Sequence, residues 1–131
     1  MEESGLTPAT FLPHYLETLD STPEGVLALL SPDIRFTVLW SVDGEAREFA
    51  GGMNELEAYF AQREPDGQLH HVELAQRKGD TEVVLGHTTK HGERLATFTM
   101  AAQLDEHSRA LRLYASRTTS LPFDAIAGGD G

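Results

Sequence analysis

The sequence contains no cysteine, one tryptophan, and 10 basic residues against 21 acidic ones. The lack of cysteine excludes disulfides, thiolate metal ligands and a cysteine nucleophile, and it suits a reducing compartment. No stretch approaches the roughly 18 consecutive apolar residues of a membrane helix. The beginning, MEESGLTP, is acidic and has no apolar segment, so we expect no signal peptide there. These absences predict a soluble, cytoplasmic protein.

The excess of acidic residues gives a formal net charge of −11. Nucleic acids are bound mainly through Lys and Arg contacts to phosphate, and anionic membranes attract basic segments. The charge therefore predicts neither a nucleic-acid partner nor a membrane partner. A strongly charged surface does favour solubility.

The length of 131 residues, of which 40% are hydrophobic, fits one domain with its own core. Both ends are small, polar or rich in glycine, so they could bury little surface. We expect a flexible N-terminus at residues 1–7, one domain over residues 8–123, and a flexible tail at residues 124–131.

Two helices are predicted in the N-terminal quarter of the chain. Apolar residues at spacings of three and four predict the first between Thr7 and Asp20. Pro13 is unfavourable inside a helix, so either the helix kinks there or its regular part begins near Thr10. The segment STPE at residues 21–24 provides a capping hydroxyl and a first-turn proline, which predict a second, short helix.

From Asp33 onward the apolar pattern alternates, which predicts strands. Asp43-Gly44 is a typical hairpin turn between two of them. A third helix is predicted from Met53 to about Arg63. Glycine- and acid-containing turns then divide the remainder into four strands, at about residues 68–78, 81–91, 94–105 and 109–121.

The order is therefore helix, helix, strand, strand, helix and a four-strand meander. This order, and the segment HYLETLDSTPEGVLALLSPDIRF at residues 14–36, resemble the nuclear transport factor 2-like and SnoaL-like proteins. The resemblance implies an α+β fold, with N-terminal helices packed in the concavity of a curved, mostly antiparallel sheet, a cystatin-like cone. It also implies an apolar pocket inside the cone and a homodimer formed through the outer face of the sheet.

The acid–base residues of the family's steroid isomerases do not all carry over. Tyr15 matches the tyrosine that donates to the enolate oxygen. The position of the proton-shuttling aspartate falls on Val38, and that of a second acid falls near Met100. The isomerase mechanism needs a base together with an oxyanion hole. We therefore do not predict that mechanism, and the carboxylates with which limonene epoxide hydrolase activates water are not visible either.

Histidine is the main remaining source of acid–base or metal chemistry. His87 and His91 lie four apart in a predicted strand, which separates them by roughly 13 Å at 3.3 Å per residue. No carboxylate pattern completes a site, so we predict no metal and no cofactor. The histidines are His14, His70, His71, His87, His91 and His107.

The register of residues 81–91 decides whether His87 faces the pocket. If the odd-numbered residues point inward, His87 is a candidate acid or base beside Tyr15. If the even-numbered residues do, His87 faces solvent or a partner. Leu85 is more apolar than Gly86, which favours the first register.

Aromatic, methionine and aliphatic residues on the predicted inward positions would line the pocket or fill the core. Arg117 continues the inward series of its strand. There it would need a carboxylate from the protein or a ligand, unless it reaches solvent at the rim. The predicted pocket residues are Tyr15, Phe36, Val38, Trp40, Met53, Tyr59, Phe98, Met100, Leu113 and Arg117.

Three functions follow from these patterns. The first is a SnoaL-like protein that binds a small apolar or amphipathic molecule in the cone pocket. The second is an isomerase-, dehydratase- or cyclase-type enzyme that uses His87 and Tyr15. The third is a homodimerising interaction module, suggested by weakly polar outward positions, namely Leu95, Thr97, Thr99, Ala101 and Tyr114.

Overall fold

The computed structural model describes residues 5–42, 44–63, 67–119 and 121, which form an α+β fold. The two α-helices are α1 (Phe11–Ser21) and α2 (Met53–Gln62), and a 3-10 helix spans Pro23–Leu29. The strands are β1 (Leu6–Pro8), β2 (Leu30–Val42), β3 (Glu45–Gly51), β4 (Gln68–Lys78), β5 (Thr81–Lys90), β6 (Glu93–Leu104) and β7 (Ala110–Thr118).

The strands form one curved, seven-stranded sheet in the order β1-β4-β5-β6-β7-β2-β3. All neighbours are antiparallel except β2 and β7, which run parallel because α2 and the meander separate them in the chain. One core forms where the apolar stripe of α1, the 3-10 helix and Leu56 of α2 pack against the inner face of the sheet. This arrangement confirms the predicted fold class.

The predicted elements agree with the structure, with shifts at their ends. α1 begins at Phe11, so Pro13 lies in its first turn, where a missing N–H breaks no helical hydrogen bond. β2 begins at Leu30 and includes Pro32. Leu6 and Thr7, which the sequence placed in the flexible N-terminus, pair with β4. The predicted tail at residues 124–131 and Asp43 of the hairpin lie outside the described residues.

The N-terminus of α1 is held by a carboxylate from the sheet. Glu82 of β5 is fully buried, and its Oε1 accepts a hydrogen bond of 2.8 Å from the backbone N–H of Leu12. Its Oε2 accepts from the N–H groups of Thr10 and Phe11 at 3.2 and 3.1 Å. The first N–H groups of a helix have no partner within the helix, so Glu82 replaces the local capping side chain that α1 lacks.

A bulge in β4 accompanies the bend of the sheet. The pairing of β4 with β5 shifts between Val72 and Leu74, so that Glu73 is the additional residue. Opposite the bulge lies Gly86, and a Cβ built on it would lie 2.2 Å from the backbone oxygen of His71. Only glycine permits this approach of the two strands.

Among the described residues, none of the helices has the length and apolar character needed to cross a membrane.

Candidate functional site

A cavity of about 460 Å³ lies between the helices and the inner face of the sheet. Side chains from α1, α2 and the strands from β2 to β7 surround it, most of them apolar. The lining residues are Tyr15, Leu16, Leu19, Phe36, Val38, Trp40, Phe49, Leu56, Tyr59, Phe60, Arg63, Gln68, His70, Thr88, Phe98, Met100, Leu113, Ala115, Ser116 and Arg117.

The structure brings the predicted pocket residues together around this cavity, with the exception of Met53. Met53 is the first residue of α2 and packs, partly buried, against the core. Arg117 is also on the cavity wall. Contacts between these predicted pocket residues and a ligand remain predictions.

His87 lies on the other side of the sheet. In β5 the buried residues are the even-numbered ones, including Val84 and Thr88, so the favoured register was wrong. The ring of His87 stacks on that of His71 at 4.9 Å between centroids, and its Nδ1 lies 2.5 Å from Oε2 of Glu73. His87 and Tyr15 therefore do not meet in the cavity, which removes the enzyme hypothesis that joined them.

The reason for the error is that both faces of β5 are partly apolar. Val83 on the outer face is 50% exposed, whereas the inner position of Gly86 has no room for a side chain. Apolar alternation marks the core face only where the opposite face is polar. In β5 the apolar residues Val83 and Leu85 alternate on the outer face, so the pattern indicated the wrong face.

The histidine that lines the cavity is His70 of β4. Its Nδ1 lies 2.7 Å from Oδ1 of Asp20 near the end of α1, and its backbone N–H donates to Oδ2 at 2.7 Å. Both side chains are largely buried, at 17% and 15% exposure. A carboxylate accepts hydrogen bonds only, so the neutral ring carries its proton on Nδ1 and has its lone pair on Nε2.

His70 is held on its other side by packing. Its ring meets that of Phe98 edge to face, with 5.2 Å between centroids. Nδ1 and the backbone N–H are both engaged by Asp20, whereas Nε2 has no hydrogen-bond partner among the described residues. A histidine oriented by a carboxylate, with its second nitrogen free, is an arrangement suited to general acid–base chemistry.

Tyr15 brings a phenol to the same cavity. Burial raises its pKa well above the usual range, Tyr59 adds to the rise, and the positive charge of Arg63 opposes it. The phenol therefore stays protonated at neutral pH and can donate a hydrogen bond.

The cavity also contains buried polar atoms that have no hydrogen-bond partner among the described residues. These are Nη1 of Arg63, at the end of α2, and Oγ1 of Thr88 on β5. Buried polar atoms are hydrogen-bonded in the large majority of cases, so such atoms on the wall of a cavity indicate where a ligand or water would bind.

Sequence reasoning missed Asp20, His70 and Arg63. The pattern of β4 is misleading because its large apolar residues Leu69 and Leu74 are 49% and 47% exposed, while polar residues point inward. No local signal relates Asp20 to a residue 50 positions away. The sequence indicated only that Asp20 and Arg63 lie near the ends of two predicted helices, which is where side chains could reach into the cone.

Among the described residues, no group of three or more histidine or acidic side chains is arranged to hold a metal ion.

Solved structures with this architecture are numerous, although the sequence itself matches no protein-family model and no curated protein. An NTF2-like protein of unknown function from Burkholderia xenovorans has a TM-score of 0.61 at 13% identity, over 90% of this chain and 86% of that one. A candidate ketosteroid isomerase from Kribbella flavida has a TM-score of 0.59 at 18% identity, over 92% and 85%.

A third similar structure is a candidate polyketide cyclase from Sinorhizobium meliloti, with a TM-score of 0.53 at 16% identity, over 80% of this chain and 92% of that one. The chain therefore has the nuclear transport factor 2-like fold, the fold that residues 14–36 indicated. At these identities the likeness concerns the fold, and function has to be argued from the site.

Proposed function

We propose that the protein binds a small, mostly apolar molecule in the cone cavity. The observation that carries this proposal is the cavity of about 460 Å³ with aromatic and aliphatic walls and a few convergent polar groups. Ligand sites are commonly concave, of this size, and apolar with a small number of placed polar groups. Tyr15, His70 and Arg63 supply those groups.

We also propose that two copies associate through the outer face of the sheet. Val83 and Tyr114 on that face are 50% and 44% exposed. Ala101 pairs with both of them, and Leu85 is the next outward residue after Val83 on β5. Contiguous apolar surface of this kind favours a protein–protein contact.

Native mass spectrometry of protein freshly purified from cells tests both proposals. We expect a dimer mass with an additional few hundred daltons per chain, since a drug-sized molecule fills a cavity of this size. Ala115→Phe places a ring in the cavity and should abolish the additional mass. Ala61→Phe, on the exposed side of α2, is the matched control and should retain it. Additional mass that persists in Ala115→Phe would contradict binding in the cavity, and a monomer at high concentration would contradict the dimer.

A second candidate function is proton transfer on the bound molecule. The specific observation in its favour is the Asp20–His70 pair at 2.7 Å, which leaves Nε2 as the free nitrogen of a ring on the cavity wall. His70 would remove or deliver the proton, and the protonated phenol of Tyr15 would stabilise a developing oxyanion. Similar structures include candidate isomerases and a candidate cyclase, which is consistent with such chemistry.

Hydrogen exchange at the α-carbon of 2-tetralone in D₂O, followed by proton NMR, tests this role. A positioned acid–base group contributes about 10²–10⁴-fold to such a step. We therefore expect exchange above the buffer rate, a loss on the order of 100-fold or more in His70→Asn, and a smaller loss in Asp20→Asn. His14→Asn, at an exposed histidine of α1, should exchange like the unmodified protein. Equal rates in His14→Asn and His70→Asn would exclude proton transfer by His70 without affecting the binding proposal.

A further inference from the structure

The wall of the cavity carries a charge opposite to that of the whole chain. The protein has a formal net charge of −11, yet the charged side chains among the described lining residues are those of Arg63 and Arg117. No carboxylate is among the described lining residues. Asp20 lies behind His70, and both of its oxygens are engaged by that residue. Among the described lining residues, a ligand therefore meets only cationic or neutral groups.

Arg63 has an unused donor at this wall. Its Nη1 is buried, and no described group accepts a hydrogen bond from it. A buried donor that is left without an acceptor destabilises the structure in which it is found. Because arginine stays protonated, this cost is removed when an acceptor arrives that is not among the described residues.

Other donors lie on the same wall. Thr88 is 1% exposed, and no described group forms a hydrogen bond with its Oγ1. Tyr15 lines the same cavity, and its buried phenol stays protonated and can donate a hydrogen bond. A guanidinium, a phenol and a hydroxyl are therefore donors on the wall of one cavity.

We propose that the ligand of the cavity is a small carboxylic acid with an apolar body, and that Arg63 binds its carboxylate. This inference rests on the proposed binding function and names the chemical class of the ligand. The planar guanidinium matches the two oxygens of a carboxylate, and such charge-assisted hydrogen bonds are about twice as strong as neutral ones. The aromatic walls formed by Phe36, Trp40 and Phe49 would enclose the apolar body.

Two probes of equal shape test the proposal, naphthalene-2-carboxylate and naphthalene-2-carboxamide, titrated calorimetrically at pH 7.5. We expect the carboxylate to bind the unmodified protein about tenfold more tightly or better, because one charge-assisted contact is worth at least about this factor. Arg63→Gln should lose that preference and keep its affinity for the amide within about twofold. Arg63→Lys, which retains the charge, should keep most of the preference.

The matched control is Lys78→Gln, which removes one positive charge from the exposed end of β4 and should retain the preference for the carboxylate. Thermal unfolding of each variant shows that it is folded. If both probes bind the unmodified protein equally well, or if Arg63→Gln keeps the preference, the carboxylate site is wrong although the cavity binds ligands. If neither probe binds at millimolar concentration, the proposed binding function fails, and the carboxylate site fails with it.

Discussion

Replacing Glu82 with glutamine should lower the free energy of unfolding by about 3 kcal/mol. The fully buried carboxylate accepts hydrogen bonds from three backbone N–H groups at the start of α1 and forms a contact of 3.4 Å with Arg77. Removing one partner of a buried ion pair typically costs about 3–5 kcal/mol. Glutamine retains one accepting oxygen, but its amide N–H₂ would face helix N–H donors.

Urea denaturation at pH 7 measures this loss, with Glu57→Gln as the control. Glu57 is an exposed acid of α2, so the same change of charge there should alter stability by less than about 0.5 kcal/mol. Equal stabilities of the two variants would show that Glu82 does not hold α1. The effect concerns the site as well, because α1 carries Tyr15 on the cavity wall and Asp20 behind His70.

Replacing Gly86 with alanine should be still more damaging, with a loss of about 3 kcal/mol or more, or failure to fold. The added Cβ would lie 2.2 Å from the backbone oxygen of His71 and 2.9 Å from Cζ of Phe98. Phe98 can move by changing its rotamer, but a backbone oxygen in a paired strand cannot. β4 and β5 would have to separate next to the bulge, which would deform the wall that carries His70.

Thermal unfolding and circular dichroism measure the effect of Gly86→Ala. Gly92→Ala is the control, since Gly92 has a φ of +82° and nothing within 4 Å of its built Cβ. In that variant, stability falls only by the backbone strain of an alanine in the left-handed conformation, about 1 kcal/mol. If Gly86→Ala is no less stable than Gly92→Ala, then β5 does not approach β4 as closely at Gly86 as the structure shows.

Apart from the short strand β1, the helices and strands were predictable because each of them depends on a local pattern of residues. The apolar stripe of α1, the start signal before the 3-10 helix and the strands divided by Gly79-Asp80 and His91-Gly92 are written into short segments. The positions of Phe98, Met100 and Leu113 on the inner face also follow from alternation, because their neighbours along the strands are more polar or smaller.

The site was predictable only in its apolar part. Phe36, Val38 and Trp40 line the cavity as alternation predicted. The histidine predicted to face the cavity was His87, whereas the histidine that lines it is His70. The outer face of β5 is partly apolar through Val83 and Leu85, whereas Gly86 on its inner face has no side chain, so alternation indicated the wrong face.

The sequence by itself determined the fold class, the order of the elements and the apolar character of the inner face, because these depend on residues that are near one another in the chain. The tertiary structure alone decided that Asp20 meets His70, that Glu82 anchors α1, and that Arg63 faces the cavity without an acceptor among the described residues. Each depends on the curvature of the sheet and on how deeply the helices enter it. A carboxylate and a donor separated by 50 or more residues are brought into contact by packing, which local patterns do not encode.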